Sequence, residues 1–234
     1  MYWEVDGLSL LKNILMSDHK IDHFVFAAET LNEGSEVIKN LLKEDLSDIN
    51  THETMGTHNK VTSLGSCYLE VISLDPNNQN AHKNTWFHLN NVSYRETFLK
   101  NPKLISFVIS SKELNRSIFF EKEFLVSRNK YKWFFKKPNF EYLKKNNFAN
   151  INLFPSLINW QSLSPLNDMK KSSYIFQSLE IALNKNHKLL YDFLLSLNLK
   201  EKIIFNFNDS LNDELLSLKL TLKSSINGNY ILIS

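Results

Sequence analysis

The stretch IDHFVFAAETL at residues 21–31 begins a pattern that returns later in the chain. Residues 104–114 read LISFVISSKEL, and a weaker third copy begins near Leu179. Aligned from their first residues, the two stretches contain these identical pairs: Phe24 and Phe107, Val25 and Val108, Leu31 and Leu114. Internal repetition indicates architecture before any motif is considered, and each copy here predicts a strand followed by a helix.

Turn chemistry and hydrophobic periodicity extend each copy into a larger unit. After the first copy, Thr30 and Glu33 have the spacing of a capping box before an amphipathic helix, and two further strands follow. The pattern predicts this organisation: an N-terminal extension at residues 1–20, paired βαβββ modules at residues 21–161 (21–76 and 104–161), and a third βαβββ-like module at residues 174–234.

The predicted fold class is α+β. Tandem βαβββ modules are expected to form a curved, mainly antiparallel sheet around a cup-shaped pocket, with residues 77–103 as a polar connection. We also predict a short helix near residues 113–121 and an Asn-rich loop at residues 138–150. Three modules leave one without an internal partner, so the third either packs on the pair or meets its own copy in a symmetric dimer.

Composition limits the class of protein. The chain is 43% hydrophobic and 22% charged with a net charge of +2, which does not indicate a nucleic-acid partner. Cys67 is the single cysteine, so no intrachain disulfide is possible, which favours a reducing compartment. The sequence contains neither a signal-peptide pattern at its start nor a long apolar run. We therefore expect a cytoplasmic protein with no membrane partner.

Three segments resemble the glyoxalase-like members of the vicinal oxygen chelate superfamily. The first is IDHFVF at residues 21–26, where Asp-His is typical of the opening strand. The second runs from GTHN at residues 56–59 to YLEVI at residues 68–72, and the third is FPSLINW at residues 154–160. The resemblance covers residues 21–160 and implies a site in a cup lined by two paired modules.

The resemblance implies that His23 and Glu70 are the candidate catalytic residues and the candidate metal ligands. Strand alternation places His23 on one face with Ile21, Val25 and Ala27. It places Glu70 on one face with Tyr68 and Ile72. A carboxylate on an apolar strand face needs a hydrogen-bond partner, a counter-charge or a metal. Three interpretations remain open: one divalent ion (Zn, Ni, Mn or Fe), a metal-free acid/base pair, or a hydrogen bond between the two side chains.

The second module offers fewer donors than the first. The repeat places Ser106 opposite His23 and places Phe154, Pro155 or Ser156 near the position of Glu70. None of these is a good ligand for a divalent metal. His58 could supply a third ligand, and His52 is further away. The predicted substrate-binding residues are His52, Thr57, His58, Asn59 and Trp160. Turn formation is the alternative role for residues 57–59.

These observations favour a glyoxalase-like protein that binds a small molecule. Within that class we expect a lyase, isomerase or dioxygenase acting on a substrate with vicinal oxygens or a proton beside a carbonyl. One alternative is a non-catalytic protein that sequesters an aromatic or hydrophobic compound, as resistance proteins of the superfamily do. Another alternative is an assembly module with a degenerate pocket. The expected partners are a small-molecule ligand and a second copy in a homodimer.

Overall fold

The computed structural model of the chain describes residues 19–83, 85–112, 117–148, 150–210 and 217–234. Within these ranges the strands of the larger sheet are β1 (Lys20–Ala27), β2 (Asn50–His52), β3 (Thr57–Ser63), β4 (Tyr68–Leu74), β5 (Lys103–Ser110), β6 (Phe124–Arg128), β7 (Tyr131–Lys136) and β8 (Ser156–Trp160). The smaller sheet contains β9 (Tyr174–Leu183), β10 (Ile203–Phe207), β11 (Leu218–Ser224) and β12 (Tyr230–Ile233). The α-helices are α1 (Leu31–Leu42), α2 (Val92–Phe98), α3 (Phe140–Lys145) and α4 (Lys188–Ser196).

The larger sheet consists of two modules joined at their first strands. Its strand order is β2-β3-β4-β1-β5-β8-β7-β6. In each module the first strand pairs in parallel with the last, β1 with β4 and β5 with β8, whereas β1 and β5 run antiparallel. The remaining neighbours within each module are antiparallel. The predicted tandem modules and the curved, mainly antiparallel sheet are confirmed.

Both faces of the central strands are buried, and the two-residue period of a strand divides their side chains between two clusters. On the outer side Phe24 and Leu69 pack in one cluster with Ile38 of α1. On the inner side Val25 and Ile72 belong to a second cluster. Because helices and the smaller sheet cover the outer side, the inner side is where a ligand can reach the sheet.

Helix α1 lies very close to the strands beneath it. Thr30 caps its start, and the Thr30 hydroxyl accepts a hydrogen bond of 3.2 Å from the Glu33 amide. A Cβ atom added to Gly34 would lie 2.8 Å from the Cβ of Ala28 and 2.9 Å from a methyl group of Val71. The helix therefore requires glycine at this position so that its backbone can approach β1 and β4.

The third unit packs on the outer side of the paired modules, which is one of the two arrangements that the sequence predicts. Phe176 of β9 contacts Phe24, with 5.0 Å between ring centroids, and Phe193 of α4 stacks on Phe154 at 4.9 Å. Its sheet has the order β10-β9-β11-β12. The first strand of this unit pairs in parallel with the strand that directly follows its helix, unlike the first strands of the two modules.

The connection between the modules is more structured than its polar composition suggests. Residues 77–103 contain two short 3₁₀ turns and helix α2. The second of these turns brings Trp86 and Phe87 into the inner cluster. Burial of these two aromatic rings holds this part of the segment against the inner side of the sheet.

Other local predictions differ from the structure. Residues 117–121 of the helix expected near 113–121 are not helical, and residues 113–116 lie outside the described ranges. Phe120 instead forms an isolated bridge with Pro138, and the expected Asn-rich loop contains helix α3. Most of the expected N-terminal extension also lies outside the described residues. In the part of the chain that is described, no helix has the length and apolar character required to cross a membrane.

Candidate functional site

A cavity of about 650 Å³ opens on the inner side of the larger sheet. Its lining combines polar and aromatic side chains. The polar residues considered below are His23, His52, Asn59, Glu70 and Arg128. The aromatic residues are Tyr68, Trp86, Phe87, Tyr131, Trp133, Phe135 and Trp160. An aromatic enclosure with a few polar groups is the usual composition of a small-molecule site.

A β-bulge in β1 brings two consecutive polar residues together. Ile21 pairs with Ile109 of β5 and His23 pairs with the adjacent Val108, so Asp22 has no partner of its own in this register. Such an extra residue disturbs the strict alternation of side chains, so the predicted face shared by Ile21 and His23 is wrong and Ile21 belongs to the outer cluster. The Asp22 carboxylate can therefore reach its neighbour, and its Oδ1 lies 2.7 Å from Nδ1 of His23.

Asp22 determines which nitrogen of His23 is unprotonated and can act as a base in the cavity. An ionised carboxylate only accepts hydrogen bonds, so the proton of the neutral imidazole lies on Nδ1 and the lone pair on Nε2. The second carboxylate oxygen of Asp22 accepts a hydrogen bond of 2.8 Å from Nε1 of Trp160. The ring of Tyr68 stacks on the imidazole with 4.6 Å between centroids. These contacts restrain the imidazole ring on both its edge and its face.

Glu70 of β4 lies on the other side of the imidazole. Its Oε2 is 3.7 Å from Nε2 of His23, which is longer than a hydrogen bond. The amide of Asn59 donates to Oε1 of Glu70. His23 and Glu70 are each 6% exposed, so both groups are buried. Because Glu70 does not occupy the lone pair of Nε2, that nitrogen remains able to accept a proton from a ligand.

The histidines at 52 and 58 have different environments. His52 lines the cavity, and its Nδ1 lies 2.9 Å from the hydroxyl of buried Thr57. Burial holds the pKa of His52 well below its ordinary value of 6.5, and the charge of Arg128 lowers it further. His58 points away from the cavity and bonds to Ser73 at 2.7 Å, and burial also lowers its pKa.

The structure therefore brings together five of the residues that the sequence predicts for the site and separates two others. Those that line the cavity are His23, His52, Asn59, Glu70 and Trp160. Thr57 lies beneath His52, and His58 projects from the opposite face of β3, because neighbours on a strand alternate.

Arg128, the last residue of β6, is a lining residue that the sequence analysis does not identify. Its guanidinium carbon lies 6.0 Å from the ring centroid of Trp133. An arginine at the end of an edge strand is ordinarily a surface residue, so no sequence signal distinguishes it. Asp22 is missed for another reason, since strict alternation places it on the face opposite to His23.

The donor set does not match a resident metal ion. His23 and Glu70 are near enough to share an ion, and Asp22 would orient the imidazole as outer-sphere carboxylates do. A catalytic metal normally has about three protein ligands. Among the described residues, no cluster of three His, Cys, Asp or Glu side chains is near enough to hold one. We therefore derive no step through a metal.

Comparison with known proteins agrees with this fold. Residues 21–118 match the sequence model of the glyoxalase-like domain family. A hypothetical protein from Staphylococcus aureus has a similar crystal structure, with 13% identity, a TM-score of 0.60, and coverage of 92% of this chain and 98% of that one. This likeness concerns the fold, and its coverage extends into the third unit. The comparison with curated proteins gave no significant match.

Weaker structural matches include two methylmalonyl-CoA epimerases. The enzyme from Mycobacterium tuberculosis is 10% identical, with a TM-score of 0.39 over 63% of this chain and 91% of that one. The enzyme from Streptomyces coelicolor is 11% identical, with a TM-score of 0.39 over 62% of this chain and 97% of that one. The family match over residues 21–118 confirms the resemblance to glyoxalase-like domains that the sequence predicts.

Proposed function

We propose that the protein binds a small carbonyl compound in the inner cavity and transfers a proton at the carbon beside the carbonyl group. This is the chemistry of an isomerase or lyase. One observation carries the proposal: a buried imidazole, oriented by Asp22, directs its basic nitrogen into an aromatic-lined cavity.

The reaction requires a base that is positioned before the substrate arrives. Nε2 of His23 takes the proton from the carbon, and the C–H electron pair forms an enolate with the carbonyl group. Asp22 stabilises the imidazolium through Nδ1, as a carboxylate does in other catalytic pairs. Glu70 adds a second negative charge 3.7 Å from Nε2. Return of the proton to either face of the enolate regenerates His23.

Sequestration without chemistry is the second candidate function, and the aromatic lining is the observation that favours it. Trp86, Trp133 and Trp160 provide broad apolar surfaces on which a flat ligand can stack. A degenerate assembly module is less well supported, since the described side chains leave a cavity of about 650 Å³ open.

Deuterium wash-in distinguishes the first two candidates. The protein is incubated in D₂O with small ketones and 2-oxo acids, and deuterium at the carbon beside the carbonyl is measured by mass spectrometry. We expect enzyme-dependent incorporation that falls about 100-fold or more in His23→Gln. His58→Gln is the matched control, because His58 lies outside the cavity.

Ligand binding is measured in parallel by thermal shift. Loss of exchange with retained binding in His23→Gln supports the proton-transfer function. Binding by the wild type without any enzyme-dependent exchange supports sequestration instead. Equal exchange rates in wild type and His23→Gln would contradict the proposed role of the imidazole.

A further inference from the structure

Arg128 contributes a positive charge to the cavity that no described residue neutralises. Its Nε and Nη1 atoms are buried, and neither has a hydrogen-bond partner among the described residues. A guanidinium group does not lose its charge at accessible pH, so it cannot avoid the desolvation penalty by deprotonation. Buried charges in proteins are usually paired, and an unpaired one indicates a missing anion.

The acidic residues around the cavity are engaged elsewhere. Four carboxylates line it: Glu44, Asp45, Glu70 and Asp168. Glu44 accepts hydrogen bonds from Ser172 and Ser173. Asp45 pairs with Lys39 at 2.7 Å. Asp168 accepts from Tyr131 at 2.8 Å and pairs with Lys130 at 3.0 Å. Glu70 accepts from Asn59. The partner of Arg128 must therefore come from outside the described residues.

We propose that Arg128 binds a carboxylate group of the ligand, so that the substrates of this cavity are small carboxylic acids with an apolar or aromatic body. This inference rests on the proposed function and specifies its substrate class. The indole of Trp133 beneath the guanidinium limits its orientation, and arginine matches the planar geometry of a carboxylate.

Around the imidazole, local charge favours a monoanion over a phosphate, although Lys43, Lys170 and Lys171 also line the cavity. Asp22 and Glu70 already place two negative charges near the imidazole. Depression of the pKa of His52 keeps that ring neutral near pH 7, so it adds no positive charge. One carboxylate balances Arg128, whereas a doubly charged phosphate would add repulsion.

A matched ligand pair tests the inference by titration calorimetry. Phenylpyruvate and phenylacetone share a benzyl ketone skeleton and differ in that the second has a methyl group in place of the carboxylate. We expect the wild type to bind phenylpyruvate about tenfold or more tightly than phenylacetone. In Arg128→Gln the two affinities should agree within about twofold, with phenylacetone binding unchanged. Arg128→Lys should retain part of the preference.

The stability of the ligand-free variants provides a second readout. Arg128→Met removes an unpaired buried charge, so we expect its melting temperature to be equal to or higher than that of the wild type. A carboxylate preference that survives in Arg128→Gln, or a wild type without such a preference, would overturn the inference. Tighter binding of phenyl phosphate than of phenylpyruvate would also overturn it.

The proposed function is tested separately by deuterium exchange with the same two compounds. Exchange that depends on His23 but is indifferent to Arg128 would refute the inference and leave the proposed function intact. Arg128-dependent binding without exchange would support the inference and refute proton transfer.

Discussion

Trp160 and Asp22 are joined by a hydrogen bond of 2.8 Å from the indole Nε1 to Oδ2, across the junction of the two modules. Trp160 ends the last strand of the second module, and Asp22 lies at the bulge in the first strand of the first. Since Asp22 in turn holds His23, the second module helps to orient a base that the first module carries. The pairing of the modules is therefore part of the site as well as of the fold.

Replacement of Trp160 with phenylalanine tests this relationship. The variant keeps an aromatic ring but leaves Oδ2 of Asp22 without its donor, so we expect a loss of about 1–3 kcal/mol in the free energy of unfolding. The exchange rate should also fall, because the imidazole is less firmly oriented. Urea denaturation and deuterium wash-in measure the two effects. If Trp160→Phe has the unfolding free energy and the exchange rate of the wild type, the indole N–H is dispensable.

Asp22→Asn should impair proton transfer without unfolding the protein. The amide of asparagine can donate to Nδ1, which favours the tautomer with the proton on Nε2 and removes the base. We expect the exchange rate to fall about 100-fold or more. Asp48→Asn is the control, since that side chain is exposed. A wild-type exchange rate in Asp22→Asn would contradict the assignment.

His52 should make the protein less stable in acid. Burial lowers its pKa in the folded state below the ordinary value of 6.5, so the unfolded chain takes up a proton that the folded protein does not. The free energy of unfolding therefore decreases as the pH falls below 6.5, by up to about 1.4 kcal/mol per pH unit from this group.

The variant His52→Gln lacks this contribution. The difference in unfolding free energy between wild type and variant should be constant above about pH 7.5 and should decrease toward about pH 5. Urea denaturation at several pH values measures it. A difference independent of pH across this range would show that His52 gains its proton as readily in the folded state.

Removal of metal ions should leave exchange intact. Since the described residues provide two donors at His23 and Glu70, we expect chelator treatment to change the exchange rate less than about twofold. Addition of Zn, Ni, Mn or Fe should not raise the melting temperature. Elemental analysis checks this expectation. One bound ion per chain in the wild type that is lost in His23→Ala and in Glu70→Ala would contradict it.

Gly34→Ala tests the close approach of α1 to the sheet. The new methyl group would lie within 2.9 Å of Ala28 and Val71, so the helix must shift. We expect a loss of about 1–3 kcal/mol in the free energy of unfolding despite the better helix propensity of alanine. Glu36→Ala on the exposed side of the same helix should be nearly neutral. Equal stability of both variants would contradict the packing argument.

The repeat and strand alternation were sufficient to predict the paired modules and to place His23 and Glu70 on strands of the first. The same alternation explains why Thr57 and His58, neighbours on β3, cannot both face the cavity. It also explains why Asp22 was not predicted as a site residue. Strict alternation places Asp22 on the face opposite to His23, and the bulge that changes this arises only when β1 pairs with β5. Arg128 was beyond prediction, since the burial of its guanidinium nitrogens depends on tertiary neighbours such as Trp133.

By itself the sequence determined the elements, their repetition and the side of each regular strand that carries polar groups, because these follow from local periodicity. Tertiary structure alone decided the register between β1 and β5, the position of the third unit on the outer side, and the enclosure of Arg128 in the cavity. Register and burial depend on contacts between residues distant in sequence, and local periodicity does not encode those contacts.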